Sequence, residues 1–160
     1  MNLNYFAFFL IAFIPLIIGC YWYHPNSLIS KYSKIKFTGF KEISVGKIVT
    51  LFLLSLTLVY GYINLTIHQM GFYELFFTDI MLGNQESERI VNEFLNKYGD
   101  KHRHFGHGVF HGIINAVVFA LPFVTIGAIL DNRGKKYILH HFTFWLITSA
   151  IIGGCISEFV

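Results

Sequence analysis

His102 to Asn115 reads HRHFGHGVFHGIIN, and past Arg103 no Asp, Glu, Lys or Arg occurs until Asp131. An apolar run of that length, from about Gly106 to Leu130, is long enough for a membrane-spanning helix, which needs roughly 20 residues. The stretch carries four of the chain's eight histidines. At about 100° per residue, Asp100, His104, His107, His111 and Asn115 fall on one helical stripe. Gly108 and Gly112 form a small-xxx-small pair on much the same side, a smooth surface for a neighbouring helix.

Three further runs surround this one. Residues 3–23 contain no charge. Pro15 is expected to kink that helix without ending it, since neighbours can satisfy the freed carbonyl. It does not read as a cleaved leader, because it lacks a basic start and Tyr21-Trp22-Tyr23 stands where small residues would be. Ile17-Ile18-Gly19-Cys20 resembles a lipoprotein box, but no Lys or Arg precedes it. The aromatic trio suits an interfacial belt, and Pro25 ends the helix. Residues 48–67 and 138–159 complete a set of four spans. The expected fold is therefore all-α: a single integral membrane domain, 1–160, with four transmembrane helices in a bundle.

Composition agrees. The chain is 54% hydrophobic and 13% charged, against about 25% charged in ordinary soluble domains. The net charge of +3 says less than its distribution. Lys31, Lys34, Lys36, Lys41, Lys47, Arg133, Lys135 and Lys136 flank the first and third loops. The middle loop, 68–105, has Arg89, Lys97, Lys101 and Arg103 among six acids. The positive-inside rule then puts loops one and three in the cytoplasm, with both termini and the middle loop outside. The expected location is a bacterial inner membrane. The basic loops face a membrane and offer few stacking aromatics, so nucleic acid is not an expected partner.

Within the middle loop, Gly71 to Phe77 is aromatic and expected at the interface. Ile90, Val91, Phe94, Leu95 and Tyr98 repeat at helical spacing, which predicts an amphipathic helix over 87–98, with Ser87 as N-cap and Gly99 as stop. Cys20 and Cys155 lie near opposite membrane surfaces, too far apart for a disulfide, and read as small buried packing residues.

The chemistry concentrates in histidine. His68, His104, His107 and His111 are expected at the outer ends of helices two and three, with His102 pointing elsewhere. An i, i+4 imidazole pair suits a transition metal, with His68 or Asp100 as a further ligand. A haem between facing histidines is a second possibility. The plainer reading is a hydrogen-bonded polar cluster. In it Tyr60, Asn64 and His68, spaced i, i+4, i+8 on helix two, meet His107, His111 and Asn115. His24, His140 and His141 form an inner set, read as interfacial anchors beside Trp22 and Trp145. Mid-span positions offer hydroxyls such as Ser55, Thr57, Thr125 and Thr148, and no acid or base. That argues against a proton pump or a solute carrier. No HExxH, CxxC, GxSxG or P-loop motif occurs.

Two motifs together carry a family resemblance. Gly19-Cys20-Tyr21-Trp22-Tyr23-His24-Pro25 closes the first helix, and His107-Gly108-Val109-Phe110-His111-Gly112 opens the third. The chain resembles a family of small bacterial membrane proteins catalogued as domain of unknown function 1761. The resemblance covers nearly the whole chain and implies the four-helix layout. An aromatic, glycine-bearing segment often follows the Trp-Tyr-x-Pro element in that family; here residues 26–32 read NSLISKY. The family brings no activity with it. The first functional expectation is a non-enzymatic bundle acting by helix packing, as a homo-oligomer or a subunit of another membrane protein. Gly108/Gly112 and Ala150/Gly154 motivate it. The alternative is a metal- or haem-binding protein using His68, His104, His107 and His111.

Overall fold

The computed structural model describes residues 3–33 and 43–160. Among these there is no strand, and four helical segments are long and apolar enough to cross a membrane: Tyr5–Trp22, Val45–Thr66, Phe105–Leu130 and Lys135–Phe159. Lys34, Lys36 and Lys41, which weighed in the orientation argument, lie outside the described residues.

The first span is two helices, α1 (Tyr5–Ile11) and α2 (Ile14–Trp22). Pro15 has no N–H and its ring excludes the carbonyl four residues back. The chain answers by tightening at Ala12 and Phe13, where Phe13 N–H donates to Leu10 O at 3.1 Å. Helix α2 then restarts with Pro15 in its first turn, where no N–H is needed. The expected kink is thus an interruption. A short helix, α3 (Leu28–Ser33), follows. It is tied back by Ser27 and Ser30, whose hydroxyls both donate to Trp22 O.

The second span, α4 (Val45–Thr66), starts at an N-cap: Ser44 Oγ accepts from Lys47 N–H. It ends at Ile67, which is extended and buried in the core. The aromatic segment after it is a helix in its own right, α5 (His68–Met81). The amphipathic helix expected at 87–98 is present as α6 (Gln85–Tyr98). Its N-cap is Asn84, whose side chain accepts from Glu86 and Ser87 N–H. Ser87 is instead inside the first turn, donating to Asp79 Oδ2. Gly83, with φ of +79°, makes the turn between α5 and α6, a conformation that favours glycine. Phe72 stacks on Phe94 with centroids 4.0 Å apart. Val91 is buried, whereas Ile90 and Phe94 are exposed.

The third span is α7 (Phe105–Asn115), a π-helical turn (Ala116–Ala120) and α8 (Leu121–Leu130). Leu121 N–H reaches back five residues to Ala116 O. The wide turn sits directly before Pro122, which cannot donate and crowds the preceding turn. The fourth span is one helix, α9 (Lys135–Phe159).

Helix α9 is the centre of the fold. Its most apolar window is 44% buried, against 17–22% in the other spans, and α1, α2, α3, α4, α7 and α8 all pack on it. Two stripes explain this. His140, Phe144, Thr148, Ile152 and Ile156 recur every four residues, and Ile152 and Ile156 meet Ala7, Ile11, Val59 and Ile63 in the core. Ser149, Gly153 and Ser157 form a second, small-residue stripe that receives α7. A Cβ on Gly108 would overlap Gly153 O and come within 2.6 Å of Ser157 Cβ. A Cβ on Gly112 would strike Ser149 O and the Ala150 backbone. The glycine pair therefore serves packing within the chain. Gly154 faces the Phe105 ring instead.

Asn4 N–H donates to Val160 O, and Phe105 N–H donates to Glu158 Oε2 at 2.8 Å. The start of α1, the start of α7 and the end of α9 therefore share one end of the molecule, with the α4–α5 junction. The two cysteines are free, and Cys20 is exposed on the outer face of α2, not buried.

Candidate functional site

At that end, α7 starts one residue later than its histidine stripe. His104 is its N-cap, and His104 Nδ1 accepts from His107 N–H at 3.2 Å. His107 and His111 follow one turn apart on the same face. Ile67 breaks α4, and His68 becomes the first residue of α5, turned towards α7.

Three imidazoles meet there. His107 Nε2 lies 3.2 Å from His68 Nε2 and 3.1 Å from His111 Nε2. One ligand atom from each ring lies within 4.8 Å of the other two. A neutral imidazole nitrogen is either donor or acceptor, never both. Without an ion, then, His107 Nε2 meets both partners either as one N–H shared between two acceptors or as one lone pair shared between two N–H groups. If all three nitrogens present lone pairs, the arrangement suits a cation. A metal–nitrogen bond of about 2.0–2.1 Å in a tetrahedron separates ligand nitrogens by roughly 3.3 Å, close to the two separations seen here.

The surroundings differ from the expected stripe. His104 is committed to its cap, its ring centroid 5.8 Å from that of His107. Asp100 precedes the helix, in an exposed turn, so it does not share the face. His102 has a left-handed φ of +68°, and its ring stacks on His107 with centroids 5.0 Å apart. Tyr60 and Asn64 turn outward: Tyr60 is 63% exposed, and Asn64 Nδ2 bonds back to Tyr60 O. The inward face of α4 is Ser55, Val59, Tyr62, Ile63 and Thr66. Asn115 is buried, but its stripe takes it below the histidines.

Residues the sequence did not flag hold the site in place. Gln69 is buried, and its amide nitrogen donates to Gly99 O and Lys101 O. That pins the first turn of α5, and with it His68, to the segment leading into α7. Ser157 Oγ donates to His102 O. The Glu158 carboxylate sits on the positive end of α7. Burial pushes the Arg103 guanidinium below its usual range, and Asp100 acts the other way. Beside the imidazoles is a cavity of about 330 Å³, lined by His68, Gln69, Phe72, Phe94, Lys101 and His102.

The opposite end holds the inner histidines. His140 is 4% exposed, and its carbonyl accepts from Trp22 Nε1. Tyr23 Oη is 2.9 Å from His141 Nδ1, and burial raises the Tyr23 hydroxyl above its usual range. These two histidines are packing residues between α2 and α9, not anchors facing the interface. Only His24 is exposed, its Nδ1 accepting from Asn26 N–H.

No curated protein and no solved structure matches the chain. The family model described as Protein of unknown function (DUF1761) matches residues 6–157, so this chain, with its paired histidine helices, belongs to that family.

Proposed function

We propose that the protein is an integral membrane metal-binding protein, with His68, His107 and His111 as neutral ligands to one transition-metal ion. The observation that carries this is the pair of 3.1 and 3.2 Å separations at His107 Nε2. Two of the three nitrogen pairs stand near the spacing of a tetrahedral edge, and all three atoms lie within 4.8 Å of one another. A fourth position would be left for water or a substrate, as in open metal sites, and the cavity at His68 gives it access. A haem fits less well. Two axial imidazoles stand on opposite faces of a porphyrin, with nitrogens about 4 Å apart, and the rings here leave no room for that plane.

The proposed orientation puts this site and both termini outside the cytoplasm of a bacterial inner membrane. The support is the lysine asymmetry: Arg133, Lys135 and Lys136 lie at the other end, with Lys31 and Lys47. The reading as a packing or accessory subunit has lost its main support, because Gly108 and Gly112 are occupied by α9. A second copy or another membrane protein would have to use the outward faces of α4 and α8 instead.

Purified full-length protein, reconstituted with Zn²⁺ or Co²⁺, tests the metal reading. One ion per chain and a tetrahedral cobalt absorbance are expected. A chain that stays folded and binds no ion in excess of a triple His68/His107/His111→Ala variant would leave only the hydrogen-bonded cluster.

A further inference from the structure

At the end of the molecule away from His68, His107 and His111, α3 packs on the start of α9, and a groove of about 460 Å³ runs between them. Lys136 stands at the end of the groove nearest the start of α9. Past it the walls are Leu28 and Ile29 of α3 and Leu139 and Thr143 of α9, with the buried Trp22 behind them. The polar atoms of these walls are taken up locally. Thr143 Oγ1 donates to Leu139 O, Trp22 Nε1 to His140 O and Ser33 Oγ to Ser30 O. Leu28, Tyr32 and Leu139 are exposed, so the groove opens towards lipid.

Charge is confined to one end. Among the described residues, the acid at this end of the molecule is Asp131, and Arg133 pairs with it. No acid lines the groove or stands in the first turn of α9, and Lys136 has no ion-pair partner among the described residues. From Lys136 to Thr143 the helix advances about 10 Å at 1.5 Å per residue. The groove therefore runs from the headgroup level, at the start of a membrane span, down into hydrocarbon.

That profile selects its occupant. A soluble anion would match Lys136 and leave the apolar walls bare. A plain hydrocarbon would fill the walls and leave the ammonium unmatched. A zwitterionic lipid would bring its own cation to a lysine. An anionic phospholipid matches both ends, and basic pockets between helices at the membrane surface take such headgroups. Tyr32, at the rim, has the amphipathic ring that suits headgroup depth.

We propose that this groove binds one anionic phospholipid of the phosphatidylglycerol class, its phosphate against the Lys136 ammonium and one acyl chain along Leu28, Ile29 and Leu139. The inference stands apart from the metal site and holds whichever side of the membrane this end faces.

Trp22 is the reporter. In full-length Trp145→Phe protein it is the one tryptophan left. The protein is reconstituted in phosphatidylcholine vesicles with rising fractions of phosphatidylglycerol brominated on its acyl chains, which quench a tryptophan they touch. Brominated phosphatidylcholine is the comparison. Brominated phosphatidylglycerol should reach half-quenching at a fraction about fivefold lower. Lys136→Gln should bring the two curves together with the thermal midpoint in phosphatidylcholine unchanged. Leu28→Glu, at an exposed position on the groove, should also remove the preference. Lys47→Gln, at the same end but off the groove, should leave it intact. Equal quenching by the two lipids overturns the proposal, as does a preference that survives Lys136→Gln. Equal losses in Lys47→Gln and Lys136→Gln overturn it in favour of a diffuse cationic surface. If Trp145→Phe does not fold, the unsubstituted chain decides: its thermal midpoint in detergent should rise more with phosphatidylglycerol than with phosphatidylcholine, and Lys136→Gln should cancel the difference. No difference in the unsubstituted chain overturns the proposal.

Discussion

Gly108 and Gly153 face each other with no room for a side chain on either: a Cβ on one would overlap the carbonyl oxygen of the other. The clash is with backbone, which cannot rotate away. Gly108→Ala or Gly153→Ala should therefore destabilise the fold by about 1–3 kcal/mol, read as a fall in thermal midpoint in detergent. Gly127→Ala, where an added Cβ meets nothing within 4 Å, should instead be neutral or slightly stabilising. Equal effects at the three positions would contradict the α7–α9 contact.

The ligand set makes a selective prediction. His68→Ala, His107→Ala and His111→Ala should each abolish stoichiometric metal. His104→Ala should keep the metal and lower the thermal midpoint modestly, because it removes only the cap on His107 N–H. Asn64→Ala and Tyr60→Phe should change neither. Metal analysis and circular dichroism on the same preparations separate these outcomes.

Acid should release the ion. Imidazole binds metal only when neutral, so protonation competes with ligation. The metal contribution to stability is therefore present at neutral pH and is lost as the pH falls. In the His68/His107/His111→Ala variant the midpoint should show no corresponding step. A wild type and a variant with the same acid profile would speak against the site.

Gln69→Leu should loosen His68 without touching it. The amide is buried and holds two carbonyls, Gly99 O and Lys101 O. Losing it leaves both unpaired, at about 1–3 kcal/mol. Faster amide hydrogen exchange is expected in α5 and at 99–104, with weaker metal affinity, while exchange in α9 stays slow.

Orientation is open to labelling. In a variant without Cys20 and Cys155, Leu82→Cys at the exposed α5–α6 turn should react with an impermeant maleimide in intact cells. Lys136→Cys should react only after lysis. The reverse pattern would place the histidines on the cytoplasmic side.

The spans were legible because uninterrupted apolar length is a local property. The α6 helix was legible because Ile90, Val91, Phe94 and Leu95 repeat at its period. The His107/His111 pair was readable for the same reason, and His68 was found by the assumption that adjacent helices meet. What depended on long-range geometry was not readable. The stripe through Asp100 and His104 assumed a helix that begins only at Phe105. Tyr60 and Asn64 do share a face of α4, but Val59, Tyr62 and Ile63 take the inward side. His102 joins the site through a left-handed backbone that spacing rules do not foresee. The small stripe of α9 is Ser149, Gly153 and Ser157, and only its fit to α7 distinguishes it from Ala150 and Gly154.

The central place of α9 has a consequence for how the protein is made. Membrane helices first insert singly and then associate. During synthesis the three earlier spans enter the bilayer before the helix they pack on exists, and domains fold largely in the order they emerge. Gly108 and Gly112 must wait, lipid-facing, for Ser149 and Gly153 to arrive. The earlier spans can meet one another at α1–α4 and α4–α7, but the bundle is completed only when α9 arrives, and quality-control proteases have their opening in that interval.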